Sequence, residues 1–220
     1  GDQSARIQKA IDFVSARKVN KKTGLRGAVL LDKGVFELSQ PLRIQTSGVV
    51  LRGTDRNQTV LYKKGVDRGA VVYLESEKQM QMLGEPMKLS APWKLGERKV
   101  TLPAGCKMGD EILIVRPSTK KWIQKMGCAD FGAGKDLGYW GWHPGEIDVR
   151  WTRSVVSDGK GGLQLDAPLS MSLGQDDAEC FVQRIAGNDW RLKNVGVENL
   201  TIDSEYDTTN PKDENHAWEG

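Results

Sequence analysis

The stretch GAVLLDKGVFELSQPLRIQTSGVVLRG, residues 27–53, is a series of short apolar runs, each closed by a turn former. Ala28 to Asp32, Gly34 to Leu38, Pro41 to Ile44 and Gly48 to Arg52 each have the length and composition of a strand. Downstream, Thr59 to Tyr62 and Gly69 to Leu74 extend the series. The gaps between these runs are too short for crossover helices, which excludes a βαβ sheet. A sandwich, a barrel or a solenoid of stacked strands remains. The chain's 25 glycines in 220 residues supply the turns that any of these needs.

Upstream lies one helix. Ile7, Ala10, Ile11 and Val14 follow i, i+3, i+4, i+7 spacing, and Asp2 or Ser4 can cap its start. Downstream, residues 88–184 read as a β-rich insertion. Lys99 to Leu102 and Glu111 to Val115 predict strands around Pro103-Ala104-Gly105. Arg150 to Val156 and Leu163 to Leu165 flank the turn Ser157-Asp158-Gly159-Lys160-Gly161-Gly162. Between these pairs, residues 120–146 form a long loop carrying Trp122, Trp140 and Trp142. From Asp189 the first texture returns, with strands expected at Trp190 to Leu192 and Val195 to Ile202.

The ordered set SARIQKAIDFV (4–14), GAVLLDKGVFELSQPLRIQTSGVVLRG (27–53) and TVLY (59–62) resembles the N-terminal part of the pectate-lyase-like β-helix superfamily. NVGVENLTIDSEYD (194–207) resembles a later coil of that solenoid. GCKMGDEILIVRPS (105–118) and VRWTRSVVSDGKGGLQLDAPL (149–169) are similar to an insertion found in bacterial members. The resemblance implies an all-β fold in the main, a right-handed parallel β-helix with an N-terminal capping helix and a β-rich insertion. Residues 1–87 would hold the cap and first coils, 88–186 the insertion and 187–220 a resumed coil. Relatives carry an Asp/Gly-rich strand before the helix and several further coils, so a fragment is expected. A cap is required physically, because an open stack exposes strand edges and core. Asn199 is expected to point inward and join a ladder between coils.

Bulk properties narrow the function. Net charge is +3, and the basic residues are scattered as Lys21-Lys22, Lys63-Lys64 and Lys120-Lys121, which does not point to nucleic acid. A mild positive balance suits an acidic polysaccharide as well as other anions. No apolar run is long enough to span a membrane. The resemblance implies a secreted, periplasmic or cell-surface setting. Cys106, Cys128 and Cys180 form no CxxC pair, so zinc is not expected. A Cys106–Cys128 disulfide and three free thiols both remain open. Asn57-Gln58-Thr59 and Asn199-Leu200-Thr201 match the glycosylation sequon.

Three clusters carry candidate chemistry. In KDENHAW, Asp213, Glu214 and His216 are candidate catalytic groups and Trp218 a ring to stack on a sugar; a solvated polar turn ended by a buried Trp explains the same residues. In GYWGWHPGEID, Tyr139, Trp140 and Trp142 offer an aromatic platform with His143 and Glu146 as polar contacts, or else a plug that pins the insertion. Asp203, Glu205 and Asp207 alternate along a strand, as oxygen ligands for Ca²⁺ or as a solvated acidic loop. Arg150 and Arg153 can meet a sugar carboxylate or serve as surface strand charges. The resemblance implies a lyase that cleaves a uronic-acid glycan by β-elimination, with Ca²⁺ to neutralise the carboxylate. A glycoside hydrolase on the same scaffold and a non-catalytic glycan-binding or adhesin module are the alternatives. Lys63-Lys64 and the run RGAVVYLESE (68–77) suggest no chemistry.

Overall fold

The structure is a computed structural model that describes residues 1–67, 69–130, 141–174, 178–207 and 209. The described residues are mainly β, and they divide into two compact units, 1–79 with the residues from 189 on, and 80–188. No described helix is long and apolar enough to cross a membrane.

The first unit begins with helix α1, Ser4–Ser15, which buries Ile7, Ile11 and Val14 as their spacing predicts. Its start is capped by Asp2, as expected, from one residue before the N-cap position. Gln3 occupies the N-cap and makes no side-chain capping bond. Asp2 instead accepts from the backbone N and hydroxyl of Ser4 at 3.0 and 2.6 Å, and from the Ser39 hydroxyl at 2.7 Å. The Ser4 hydroxyl in turn accepts from the backbone N of Ser39 and Gln40. This network ties the helix to a corner of the strand stack and holds the Asp2 carboxyl far below the usual aspartate range.

Six strands follow: β1 Gly27–Leu31, β2 Gly34–Leu38, β3 Leu42–Ile44, β4 Val49–Gly53, β5 Thr59–Lys63 and β6 Val72–Leu74. The second unit contributes β7 Met82–Lys88, β8 Glu111–Arg116, helix α2 Lys120–Lys125, β9 Val149–Ser157, β10 Leu163–Leu165 and β11 Phe181–Ile185. The chain then returns to the first unit with β12 Gly196–Glu198 and β13 Thr201–Ser204.

In the first unit every pairing is parallel. β4 lies between β1 and β12, β5 lies between β2 and β13, and β6 pairs with β3. Each pass of the chain thus sits in register on the pass before it. Val29, Leu51 and Val197 form one inward column; Phe36, Leu61 and Ile202 form another. Leu38, Leu42, Ile44, Val49, Leu51 and Leu61 are almost fully buried and share one core with Ile7 and Ile11 of the helix.

Several expectations change here. Val195 to Ile202 is not one strand. Asn199 adopts a left-handed φ of 55° and turns the chain between β12 and β13, while its side-chain N donates to the Gly53 carbonyl at 2.8 Å. Asn199 therefore holds a corner and joins no ladder. Gly53 must stay small for the same reason, because a Cβ there would lie 2.3 Å from the Asn199 carbonyl oxygen. Trp190 to Leu192 is a turn, not a strand, and Gly69 to Val71 precedes β6 as loop.

The second unit is antiparallel throughout, in the order β10-β9-β8-β11-β7. Ile112, Ile114, Trp151, Val155, Leu165 and Val182 build its core together with Trp93 and Leu173. The β9–β10 hairpin forms as read, with Ser157 opposite Leu163. Lys99 to Leu102 is not a strand; the Thr101 carbonyl there accepts from the Trp93 indole N–H. β7 contains Gly84 and Pro86 and gave no strand signal. It tolerates both because it is the edge strand, and its partner β11 has a register shift between Val182 and Arg184. Cys106, Cys128 and Cys180 are free thiols, so the Cys106–Cys128 bridge is not formed.

Candidate functional site

The aromatic corner of the second unit starts with α2. The Thr119 hydroxyl accepts from the Trp122 backbone N at 3.3 Å and caps the helix, which turns Trp122 and Ile123 inward. The Trp142 ring stacks on Trp122 with centroids 6.0 Å apart and planes 27° apart. The buried Arg116 guanidinium lies 4.6 Å from the Trp122 ring centroid. Ser118 pins the segment that follows. Its hydroxyl and backbone N both donate to Asp148, and the hydroxyl accepts from the backbone N of Gly145 and Ile147.

Trp142 is thus partly buried against Trp122 in this corner. His143 and Glu146 stand beside it, both about half exposed. Glu146 accepts from the His143 backbone N at 2.9 Å and contacts its ring Nδ1 at 3.0 Å, which lowers the Glu146 pKa. Arg150 is exposed, 3.7 Å from Asp148. Tyr139 and Trp140 lie outside the described residues.

Arg153 is placed differently from the carboxylate contact expected of it. Its guanidinium donates to the carbonyls of Ala167, Thr152 and Pro168 at 2.7–3.0 Å, so it braces the 166–168 turn. The proposed calcium ligands are likewise engaged elsewhere. Asp203 accepts from the Ser204 backbone N, and Asp207 from Thr209. Glu205 accepts from the Gly65 backbone N and pairs with Lys64 at 3.2 Å; both contacts lower its pKa, and the pair raises that of Lys64. Among the described residues no three His, Cys, Asp or Glu side chains are grouped to hold a metal ion. Asp213, Glu214, His216 and Trp218 lie outside the described residues.

One group that the sequence reading passed over is brought together in the first unit. Thr59, Leu61 and Lys63 are the buried positions of β5, so Lys63 points inward with apolar neighbours. A buried ammonium requires partners. Lys63 Nζ donates to the Asp67 side chain at 2.5 Å, to the Asp67 carbonyl at 3.2 Å and to the Gly69 carbonyl. The ion pair lowers the Asp67 pKa. A half-open cavity of about 200 Å³ sits at this corner, walled by Gln40, Pro41, Val71 and Tyr73 among others. The signal was available in the sequence: a lysine on the apolar parity of TVLYK.

No family model and no curated protein matches the chain. Among solved structures it is similar to the tailspike gp61 of Pseudomonas phage phi297, at 14% identity and a TM-score of 0.46, over 91% of this chain and 27% of that one. It is also similar to the Gp54 tailspike of Acinetobacter baumannii bacteriophage AP22, solved in complex with A. baumannii capsular saccharide. That match has 10% identity and a TM-score of 0.44, over 97% of this chain and 28% of that one. The chain thus spans little more than a quarter of the length of either.

Proposed function

We propose that this chain handles polysaccharide as the helix-capped end of a right-handed parallel β-helix, and that the whole protein acts on a uronic-acid glycan by β-elimination. The observation that carries the scaffold is the in-register parallel stacking of three strand columns over one core, closed by α1. Such stacks present long rows of outward side chains suited to an extended polymer. Glu37, Tyr62 and Asp203 form one such row across β2, β5 and β13.

In the proposed reaction a base takes the proton at C5 of the uronate and the electron pair forms the C4–C5 double bond. The C4–O bond breaks, and an acid returns a proton to the departing oxygen. His216 is the proposed base or acid, Asp213 and Glu214 orient it, and Trp218 stacks on the sugar. Arg150 is the remaining candidate for the carboxylate.

Glycan binding without turnover is the second reading, favoured by the fixed polar groups of the Lys63 corner. The test is incubation of the chain with polygalacturonate, alginate and a neutral glucan. Near-ultraviolet absorbance from an unsaturated uronate product is expected. New reducing ends without that absorbance would replace the lyase with a hydrolase. Retention of polysaccharide with neither signal would establish the binding module, and no retention at all would overturn the proposal.

A further inference from the structure

We infer that the corner formed by the turns leading into β1, β4 and β12 is a docking surface for an acidic polysaccharide; this rests on the reading of the chain as a polysaccharide-handling protein and names where the polymer is held. Between Asp12 and Asp32 the chain carries Arg17, Lys18, Lys21, Lys22 and Arg26 and no carboxylate. These five cations exceed the net charge of +3, so the rest of the chain is net negative and the positive balance is concentrated here. Arg17, Lys18, Lys21 and Lys22 are exposed, and Arg26 is half-buried.

The backbone that carries these cations is fixed. Asn20 closes the turn: its side-chain oxygen accepts from the backbone N of Lys22 and Thr23 at 2.9 and 3.2 Å. Its carbonyl accepts from Gly24 N at 2.7 Å, and its own N donates to the Leu25 carbonyl at 2.8 Å. Arg26 donates to the Ser47 and Arg17 carbonyls, which ties the end of α1 to the turn before β4. The turn before β12 stacks on both. Gly48 N donates to the Lys193 carbonyl at 2.9 Å, Lys193 N donates to the Ser47 hydroxyl at 3.0 Å, and the Asn194 side chain reaches the Gly24 carbonyl. Lys193 is exposed as well. Hydrogen-bonded strands lie about 4.8 Å apart, so exposed cations stand at the first and third levels of the corner, roughly 10 Å from one another.

Charge and composition select the partner. Among the described residues no carboxylate pairs with Arg17, Lys18, Lys21, Lys22 or Arg26, whereas Lys64 and Lys78 elsewhere in the unit hold Glu205 and Asp189. A uronan carries carboxylates along its length and releases counterions when cations meet them. Lysine, a point charge on a flexible stem, needs no fixed geometry to do so. The Thr23 hydroxyl, which accepts from Leu25 N at 3.3 Å, keeps its proton for a sugar oxygen. An anionic bilayer is the rival partner, because Phe13, Val19 and Leu25 are exposed in the same stretch of chain. Against it, the turn Asn20-Lys21-Lys22-Thr23 has no apolar side chain to insert between lipids. Against nucleic acid, residues 16–26 hold no ring to stack on a base.

The experiment is calorimetric titration of the 220-residue chain with polygalacturonate, its full methyl ester, alginate and a neutral glucan, beside phosphatidylglycerol vesicles and duplex DNA. At least one uronan should bind, and its affinity should fall about tenfold or more between about 50 and 200 mM salt. The methyl ester, which keeps the backbone and loses the charge, should bind at least about tenfold more weakly than polygalacturonate. Lys21→Gln with Lys22→Gln should weaken uronan binding by about tenfold. Lys107→Gln with Lys160→Gln, exposed in the second unit and equal in charge, should weaken it by about twofold at most. A loss no greater for the first pair than for the second would overturn the surface. So would an ester that binds as tightly as the acid, or vesicles or DNA bound more tightly than either uronan; the wild-type series decides these even if a variant fails to fold. Neutral glucan bound while both uronans are ignored sinks the surface alone. No polysaccharide bound at all sinks the wider reading with it.

Discussion

The two units bury apolar side chains by opposite strategies. The first repeats: Val29, Leu51 and Val197 occupy equivalent positions in three successive passes. The second does not repeat: an antiparallel sheet packs Ile112, Ile114 and Val155 against Trp93, Trp151 and other large side chains. Glycine shows what the difference means. Gly53 in the stack is small because another pass of chain lies against it, with the Asn199 carbonyl 2.3 Å from where its Cβ would be. Gly159 in the β9–β10 turn has open space around it and a φ of 74°, so it is needed for backbone conformation. In the stack, space is the scarce quantity; in the hairpin, backbone conformation is.

The largest expected effect is at the middle of a column. Leu51 is fully buried between two parallel neighbours. Leu51→Ala should cost about 4 kcal/mol in denaturant unfolding. Hydrogen exchange should show lost protection in both β1 and β12. Protection lost in β4 alone would break the picture of a shared column.

The glycine pair sharpens the comparison. Gly53→Ala should cost about 2 kcal/mol through overpacking. Gly159→Ala should cost about 1 kcal/mol, from the left-handed φ alone. Equal losses, or the reverse order, would mean that the third pass does not sit on Gly53 as described.

The smallest effect is electrostatic. Asp158 accepts from the backbone N of Lys160 and Gly162 and from Lys99 Nζ, which lowers its pKa to about 2. A lowered folded-state pKa stabilises above the ordinary aspartate value and loses that contribution as pH falls through about 2. Asp158→Asn should therefore lower stability at pH 6 and leave it little changed near pH 2. A difference that persists undiminished in acid would assign the effect to turn geometry instead of charge.

How much of this was legible depended on the kind of signal. The helical spacing of Ile7, Ala10, Ile11 and Val14 was readable and located α1, and the short apolar runs of residues 27–63 placed β1 to β5 within a residue at each end. Corners were less readable. Val195 to Ile202 has the composition of one strand, and only the left-handed Asn199 divides it. β7 was missed because Gly84 and Pro86 are permitted on an edge whose position depends on distant β11. For the candidate sites, residue type alone left Arg153 open between a carboxylate contact and a surface strand charge, and its donors go to three carbonyls. Residue type with parity would have singled out Lys63, an ammonium on an apolar face.

The parallel register is tested most directly by backbone NMR contacts between β4 and β12. Neighbours should run in the same direction, Val50 with Gly196, Leu51 with Val197 and Arg52 with Glu198. Contacts in the reverse order, Val50 with Glu198 and Arg52 with Gly196, would contradict the stack and remove the scaffold on which the polysaccharide reading stands.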